Sequence, residues 1–425
     1  MDQTEALIIE TIDRHREEIL EFARDIYSHA ELGYKEFQTS GKFVKKMEQL
    51  GLRTEKGFAI TGVKAYLNED KKENASLALL GELDALRIPE HAFANPETNA
   101  AHCCGHHAQM AGVFGAALAL TVPEIAEKLD GQVVFFATPA EEYGEIEFKN
   151  QLREQGKIRY GGGKCELLRI GAFDDIDLCL THHIRPGNEI LVGSGTGNGF
   201  VSKVIRVLGK ASHAAGAPEK GVNALSAASL GLQALGLNRE TFRDEDCVRV
   251  HPIITKGGNL VNVIPDEVVV ETLVRGKTIE AFTDAAKKTD RSFKAGAIAM
   301  GAKVEISTLP GYLPTLAEEA LPELKHAAEI SASGIPVIEA SGHAGGSTDV
   351  GDVQHLMPVY TFNTGGVKGG LHQIDFEVTD EEEAYIVTAK MFALAAYGLL
   401  KEKAQRSREL VDQYEPVFEK IQQSM

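Results

Sequence analysis

Three short, almost wholly apolar runs constrain this chain most: SLALLGEL (76–83), GQVVFFATPA (131–140) and DLCLTHHI (177–184). None alternates between apolar and polar residues, and strands buried on both faces read in this way. Between the first two lies AGVFGAALAL (111–120), whose small residues fit a tightly packed helix. Parallel neighbours need a long crossover, so strands alternating with helices imply an α/β domain around a mostly parallel sheet. Upstream, Leu7, Ile8, Ile12, Ile19, Phe22 and Ile26 recur at mostly helical spacing and predict one amphipathic helix. A second helix is expected after Thr39 or Ser40 as cap, burying Phe43, Met47 and Leu50 and stopping at Gly51.

Near residue 200 the pattern changes. Strand FVSKVIRVLG, helix GVNALSAASLGLQALG, strands CVRVHPIIT and DEVVVETLVRG, helix TIEAFTDAAKKTDRSFKAGAIAMG and strand KVEISTL follow in order, a β-α-β-β-α-β arrangement. Strand PVYTFNTGG and a last helix from near Thr379 then resume the first pattern. The expected division is 1–199 and 311–425 for one domain, with 200–310 inserted. At 425 residues the chain exceeds what one core usually serves, and a hydrophobic fraction of 43% can fill two.

Charge narrows the partners. Forty-four basic residues against 62 acidic ones give a formal charge of −18, which disfavours nucleic acid and anionic membrane surfaces. The N-terminus carries acids where a signal peptide carries basic residues, and no apolar run is expected to reach membrane-spanning length, so the expected location is the cytoplasm. Five cysteines, an odd number, do not make a disulfide framework and leave thiols for metal or burial.

Four clusters carry ligand-type side chains. AHCCGHHAQ offers His102, Cys103, Cys104, His106 and His107 just before a helix, with Gly105 to turn the backbone. TPAEE places Glu141 and Glu142 at the carboxyl end of an apolar strand, where α/β sheets put their sites. One such carboxylate can bind metal while its neighbour acts as general base. THHIRP adds His182 and His183, and GGVKGGLHQIDF adds His372. Singly, each has an ordinary reading as a buried cysteine pair, a solvated acidic face or a structural histidine. Together they point to metal-dependent hydrolysis. GSGTGNG and TGGVKGG lack the spacing of nucleotide loops, and neither HExxH nor GxSxG is present.

The ordered set GELDAL, HCCGH, PAEE, HIRP, ASHAAGAPEKGVNA, GGNLVNVIPDEV, STDVGDV and LHQIDF resembles the aminoacylase and carboxypeptidase-like metallo-amidohydrolases, the peptidase M-twenty family. Within it, the branch holding aminobenzoyl-glutamate hydrolase and indole-acetyl-amino-acid hydrolases is most similar. The resemblance implies one or two divalent ions (Zn, Mn or Co), with Cys104 bridging and His106, Glu142, His183 and His372 completing the ligands. It implies Glu141 as general base and Asp84 as an orienting group. The inserted domain becomes a ferredoxin-like lid and dimerisation domain, in which His213 reaches a partner's active site to stabilise the oxyanion and Asn262 and Arg275 touch substrate. A homodimer or higher homo-oligomer follows. The implied reaction is hydrolysis of a C–N bond in an N-acyl or N-aroyl amino acid or a dipeptide. Two departures stand out: the motif ends CGHH rather than CGHD or CGHN, so His107 replaces a supporting group, and the polar stretch at 145–160 reads as an insertion. They keep open the hydrolytic release of an amino group from an aromatic ring, as in nitroanthranilate aminohydrolase. The vicinal Cys103 and Cys104 leave open a thiol or redox enzyme, or a metal-binding protein without catalysis.

Overall fold

The computed structural model describes residues 1–418. The chain divides into two compact units, one of Met1–Gly195, Leu316–Gly342 and Asp352–Met425, the other of Thr196–Thr315 and His343–Gly351.

The first unit is built on an eight-stranded sheet in the order Arg53–Phe58, Gly62–Leu67, Gln132–Thr138, Ser76–Glu82, Leu178–Ile184, Val359–Thr364, Ile190–Val192, Val337–Glu339. The four central strands run parallel, while antiparallel pairs lie towards the edges. Every residue of Ser76–Glu82 and Gln132–Thr138 is buried, which is why their sequences show no alternation. Helix His106–Leu120 has no polar face, since all 15 of its residues are buried. Its small residues let the last helix approach: a Cβ on Gly112 would meet Thr388 Cγ2 at 2.5 Å, and one on Gly115 would meet Ala389 Cβ at 2.5 Å. Phe114, wholly buried against Phe22 at 4.8 Å between ring centroids, contributes about 1.5–3 kcal/mol by leaving water.

Several local expectations need correction. The opening stretch is two helices, Gln3–Arg14 and Arg16–Ser28, separated at His15, and the first begins with a capping box between Asp2 and Glu5. The next helix starts at Phe37, ahead of the expected cap, because the Glu31 carboxylate accepts from the N–H groups of Gln38 (3.1 Å) and Thr39 (2.8 Å). Glu31 thereby satisfies the first-turn donors that a local cap usually takes. Leu50 is half-buried, beyond the helix end at Gln49. The last helix opens with a π-helical turn, Glu382–Val387, and continues as Thr388–Gln413, with a kink of non-helical backbone at Lys401–Ala404. By length and composition Glu382–Gln413 could cross a membrane, contrary to the expectation of no such run; 89% of its apolar window is buried inside the protein, as in a core helix. The insertion is largely a helix, Ile146–Glu154.

The second unit has a five-stranded antiparallel sheet ordered Arg249–Val250, Glu267–Gly276, Gly199–Leu208, Lys303–Pro310, with Ile253–Lys256 also paired to Glu267–Gly276. Strand Glu267–Gly276 alternates half-buried and buried residues along its length, the pattern of a sheet with one covered face. Helices Ala224–Asn238 and Ile279–Met300 supply Ala228 and Phe293 to a core with Ile205, Val207, Val268 and Val270. The expected single strand CVRVHPIIT is two short ones interrupted at Pro252, which has no N–H to give a ladder.

Candidate metal centre

The carboxyl ends of the central parallel strands bring the site together. Asp84 lies just beyond Ser76–Glu82 and is 0% exposed. Its two oxygens accept from the backbone N–H groups of Glu141 (3.1 Å) and Glu142 (2.9 Å). Ala140, which precedes them, has φ of 50°, a left-handed conformation costing about 1–3 kcal/mol in a residue other than glycine. Glu36 offsets that strain by accepting from the Ala140 N–H at 2.8 Å. Burial, with Asp84 adding repulsion, pushes the Glu36 carboxyl up to about 7. Two buried carboxyls thus hold the turn that presents two more.

Gly105 sets the second element. Its φ is 90°, and a Cβ there would lie 2.0 Å from Ile184 Cγ2, so only glycine fits the turn between Cys104 and His106. His183 comes from strand Leu178–Ile184. His372, also left-handed at φ 63°, is held by its N–H donating to the Cys103 carbonyl at 2.9 Å.

Two triads of ligand atoms result, Cys104–His106–His183 and Cys104–Glu142–His372, each with its atoms within 4.8 Å of one another. Cys104 Sγ lies 3.2 Å from His183 Nε2 and 3.3 Å from His372 Nε2. His106 Nδ1 faces the Asp84 carbonyl at 2.8 Å and His183 Nδ1 the Ile184 carbonyl at 2.7 Å, so each Nδ1 carries the proton and each Nε2 lone pair points at the cluster.

The residues fit a divalent ion. His106 Nε2 and Glu142 Oε1 are buried without an aligned hydrogen-bond partner, although Glu82 Oε2 and His372 Nε2 respectively stand 3.1 Å away. Atoms that close yet misaligned for hydrogen bonding are disposed like neighbouring donors around one cation. A thiolate with imidazoles and carboxylates suits zinc and related divalent metals. Burial lowers the His183 imidazole, keeping it in its neutral ligand form. Burial opposes charge on His106, but with no cation beside it Glu82 and Cys104 outweigh burial and favour the protonated ring, so a metal ion would have to displace the Nε2 proton to use that lone pair. Burial pushes the Cys104 thiol well up, and Glu142 adds to the shift. A bound cation reverses such a shift by stabilising the thiolate.

Around this cluster stand residues the sequence reading passed over. Glu82 faces His106 and pairs with the wholly buried Lys164, while Gln109 donates to it at 2.8 Å. A charged residue closing an apolar strand, GEL, was the available signal. His182 is buried, with Nε2 2.8 Å from the Thr364 hydroxyl. His107 makes its contacts with Tyr27, His102 and Tyr385, and its Nε2 lies 3.1 Å from the Tyr385 hydroxyl. His213, Asn262 and Arg275 belong to the second unit. There the exposed His213 accepts at Nδ1 from the Gly216 N–H (2.9 Å), which leaves the proton on Nε2, and the Asn262 carbonyl accepts from Ala214 N–H at 2.9 Å. Arg275 lies 5.7 Å from the centre of the Phe200 ring.

A model of the family described as peptidase family M20/M25/M40 matches residues 78–397. The chain belongs to this family. It is similar to the Xaa-Arg dipeptidase of Mus musculus, 27% identical over 408 residues that cover 93% of this chain and 85% of that one. It is also similar to the N-acetylcysteine deacetylase of Bacillus subtilis (strain 168), 26% identical over 399 residues, 90% of this chain and 97% of that one. In fold it resembles the crystal structure of the aminobenzoyl-glutamate utilization protein from Klebsiella pneumoniae, with a TM-score of 0.67 at 19% identity, covering 92% of this chain and 98% of that one. The chain is therefore a hydrolase of amide or peptide bonds, in a metallopeptidase and amidohydrolase family that acts on acyl-amino acids and dipeptides.

Proposed function

We propose that this member hydrolyses an N-acyl or N-aroyl amino acid, or a dipeptide, at one or two divalent ions (Zn, Mn or Co) held by Cys104, His106, Glu142, His183 and His372. The observation that carries the reading is the convergence of two ligand triads on one Cys104 Sγ. The metal, when bound, supplies Lewis acidity and makes water acidic enough to lose a proton near neutral pH. Glu141, its backbone fixed by Asp84 and its carboxylate 3.9 Å from His106 Nε2, accepts that proton and returns it to the departing amine. Asp84 orients both the turn and His106.

In this reading the second unit is a ferredoxin-like lid and dimerisation domain of a homodimer or higher homo-oligomer. His213 donates from Nε2 to the oxyanion in a neighbouring subunit, and Asn262 and Arg275 contact substrate. The tautomer imposed on His213 by Gly216 supports the donor role. The acidic charge supports a small-molecule substrate over nucleic acid or membrane, and the five free cysteines support a cytoplasmic location. Release of an aromatic amino group is the second reading, favoured by the helix Ile146–Glu154 that follows Glu142. Its Lys149 lies 5.1 Å from the centre of the Tyr143 ring. A thiol enzyme fits less well, because burial pushes the Cys103 thiol up to about 12.

The test is a screen of acyl-amino acids, aroyl-glutamates, dipeptides and aminobenzoates against manganese-, zinc- and cobalt-loaded protein, with chelation and metal add-back. Turnover lost and regained with metal supports the proposal. Turnover indifferent to chelation but abolished by thiol alkylation overturns it.

A further inference from the structure

We infer that the inserted stretch at 145–160 is a positioning element of the metal centre, in which Lys149 holds Glu142 in place for the ion it shares with Cys104 and His372. The inference rests on the metal reading above and adds no ligand to it. The Glu142 peptide is held on both sides. Its N–H donates to Asp84 Oδ2 at 2.9 Å, and its carbonyl accepts from Lys149 Nζ at 2.6 Å. Asp84 thus fixes the turn from the end of the sheet, and Lys149 fixes it from helix Ile146–Glu154. That helix buries two of its residues, Lys149 and Leu152. A helix that merely covered the sheet would turn an apolar stripe towards it. Burying an ammonium is costly unless its donors are used, so lysine is seldom buried without a partner. Lys149, 3% exposed, has its Nζ 5.1 Å from the centre of the Tyr143 ring and 5.7 Å from that of Tyr34, where ring faces favour a cation.

The backbone around this contact points the same way. Tyr34, Ala140 and Glu145 are left-handed, at φ of 63°, 50° and 47°, although none is glycine. Such backbone persists only where its surroundings over-determine it, and it collects at active sites and ligand clamps. The three positions are tied together. A Cβ on Gly33 would lie 3.1 Å from Ala140 Cα, and Lys35 Nζ donates to both carboxylate oxygens of Glu145 at 2.8 Å. The Tyr34 hydroxyl donates to the Tyr160 carbonyl at 2.9 Å, which closes the far end of the stretch. Gly161 then passes against Tyr143, whose ring a Cβ there would meet at 2.6 Å. Both ends of the insertion are therefore fastened beside the turn that carries Glu141 and Glu142. The triad Cys104–His106–His183 contains no residue of that turn, so loosening the insertion should spare it.

The test compares wild type, K149M, K35M and Q151G by Mn²⁺ and Zn²⁺ titration against a chromophoric chelator, with kcat, KM and melting of the metal-free proteins. H372A marks which step of the titration belongs to the Glu142 position. K149M keeps the aliphatic stem and removes the donor. It should weaken the Glu142 position about 10- to 100-fold, the scale on which groups behind metal ligands act, and leave the other position unchanged. Excess metal should then restore most of kcat, which a merely structural defect would not allow. K35M releases the insertion from its more exposed side and should weaken the same position about two- to fivefold, the range of an exposed ion pair. Q151G lowers helix stability at an exposed position without removing the Lys149 donor, and should leave both affinities unchanged. A folded K149M with wild-type affinities, or one that loses both positions equally, overturns the positioning role and leaves the metal reading standing. So does a Q151G shift as large as that of K149M. If K149M does not fold, K35M decides, and an unchanged Glu142 position overturns the role. Wild type holding one ion that H372A does not weaken overturns this inference alone, whereas wild type that takes up neither ion overturns the metal reading itself.

Discussion

The two halves of the candidate centre differ in how they are held. On the inner side, Glu82, Asp84 and His106 have side chains that are 4%, 0% and 1% exposed; Glu82 accepts from Gln109, Asp84 accepts from the Glu141 and Glu142 N–H groups, and His106 Nδ1 donates to the Asp84 carbonyl. On the outer side, Glu142 is 13% exposed and His372 50%, on a left-handed residue anchored through one backbone bond to Cys103. The inner half is preorganised and dry; the outer half is the side a substrate can reach. Cys104 belongs to both. Removing it breaks the comparison outright, so Cys104→Ala should give the largest effect: loss of turnover together with metal from both positions, read by metal analysis of folded protein. His372→Ala should empty the outer position alone while also abolishing turnover. Full occupancy with near-normal rates in either variant removes that residue from the centre.

The adjacent glutamates sharpen the contrast. Glu141→Gln keeps shape and metal but loses the base, an expected cost of roughly 10²- to 10⁴-fold in kcat. Glu142→Gln should instead weaken metal first, on the outer side. The reverse pattern in metal analysis and kinetics means that their roles are exchanged. A smaller effect is expected at His213, which on the proposed reading donates to the centre of another subunit. His213→Ala should cost roughly 10²- to 10³-fold in turnover. Mixing it with Glu141→Gln subunits should restore partial activity, since one hybrid site then holds both intact groups; verified heterodimers no more active than either parent would sink the role in trans.

Legibility in the sequence followed the range of the interactions involved. The central strands were readable because burial on both faces removes alternation from SLALLGE and QVVFFAT, a property of the segment itself. Helix His106–Leu120 was readable because its glycines and alanines announce close packing. The start at Phe37 was not, since the capping carboxylate of Glu31 sits outside the helix and ahead of any local cap signal. The ligand-type residues were visible as clusters at strand ends. Their supporting groups were not: Lys164 meets Glu82 across 82 residues, and Tyr385 meets His107 across 278. Such pairings depend on sheet order and helix docking, which no local pattern encodes.

The smallest predicted effect concerns His107, where a group expected to support the centre faces elsewhere. Its ring lies 4.7 Å from that of Tyr27 and 5.3 Å from that of His102, its Nε2 meets the Tyr385 hydroxyl, and its Nδ1 has no partner. Burial, with His106 adding repulsion, lowers this imidazole to about 3, so it packs as a neutral ring at neutral pH. Each ring contact is worth about 0.5–1.5 kcal/mol beyond burial, whereas an unpartnered buried nitrogen costs about 1–3 kcal/mol. His107→Asn loses the contacts, removes that nitrogen and introduces an amide with its own need for partners. The expected net result is a loss of about 1–2 kcal/mol in stability, with metal content unchanged and kcat/KM within roughly tenfold of wild type. His107 then acts as packing behind the inner half. A variant with unchanged Tm that loses one ion would show instead that the ring acts on the ligands themselves, and the division between a rigid inner half and an adaptable outer half would have to be redrawn to include it.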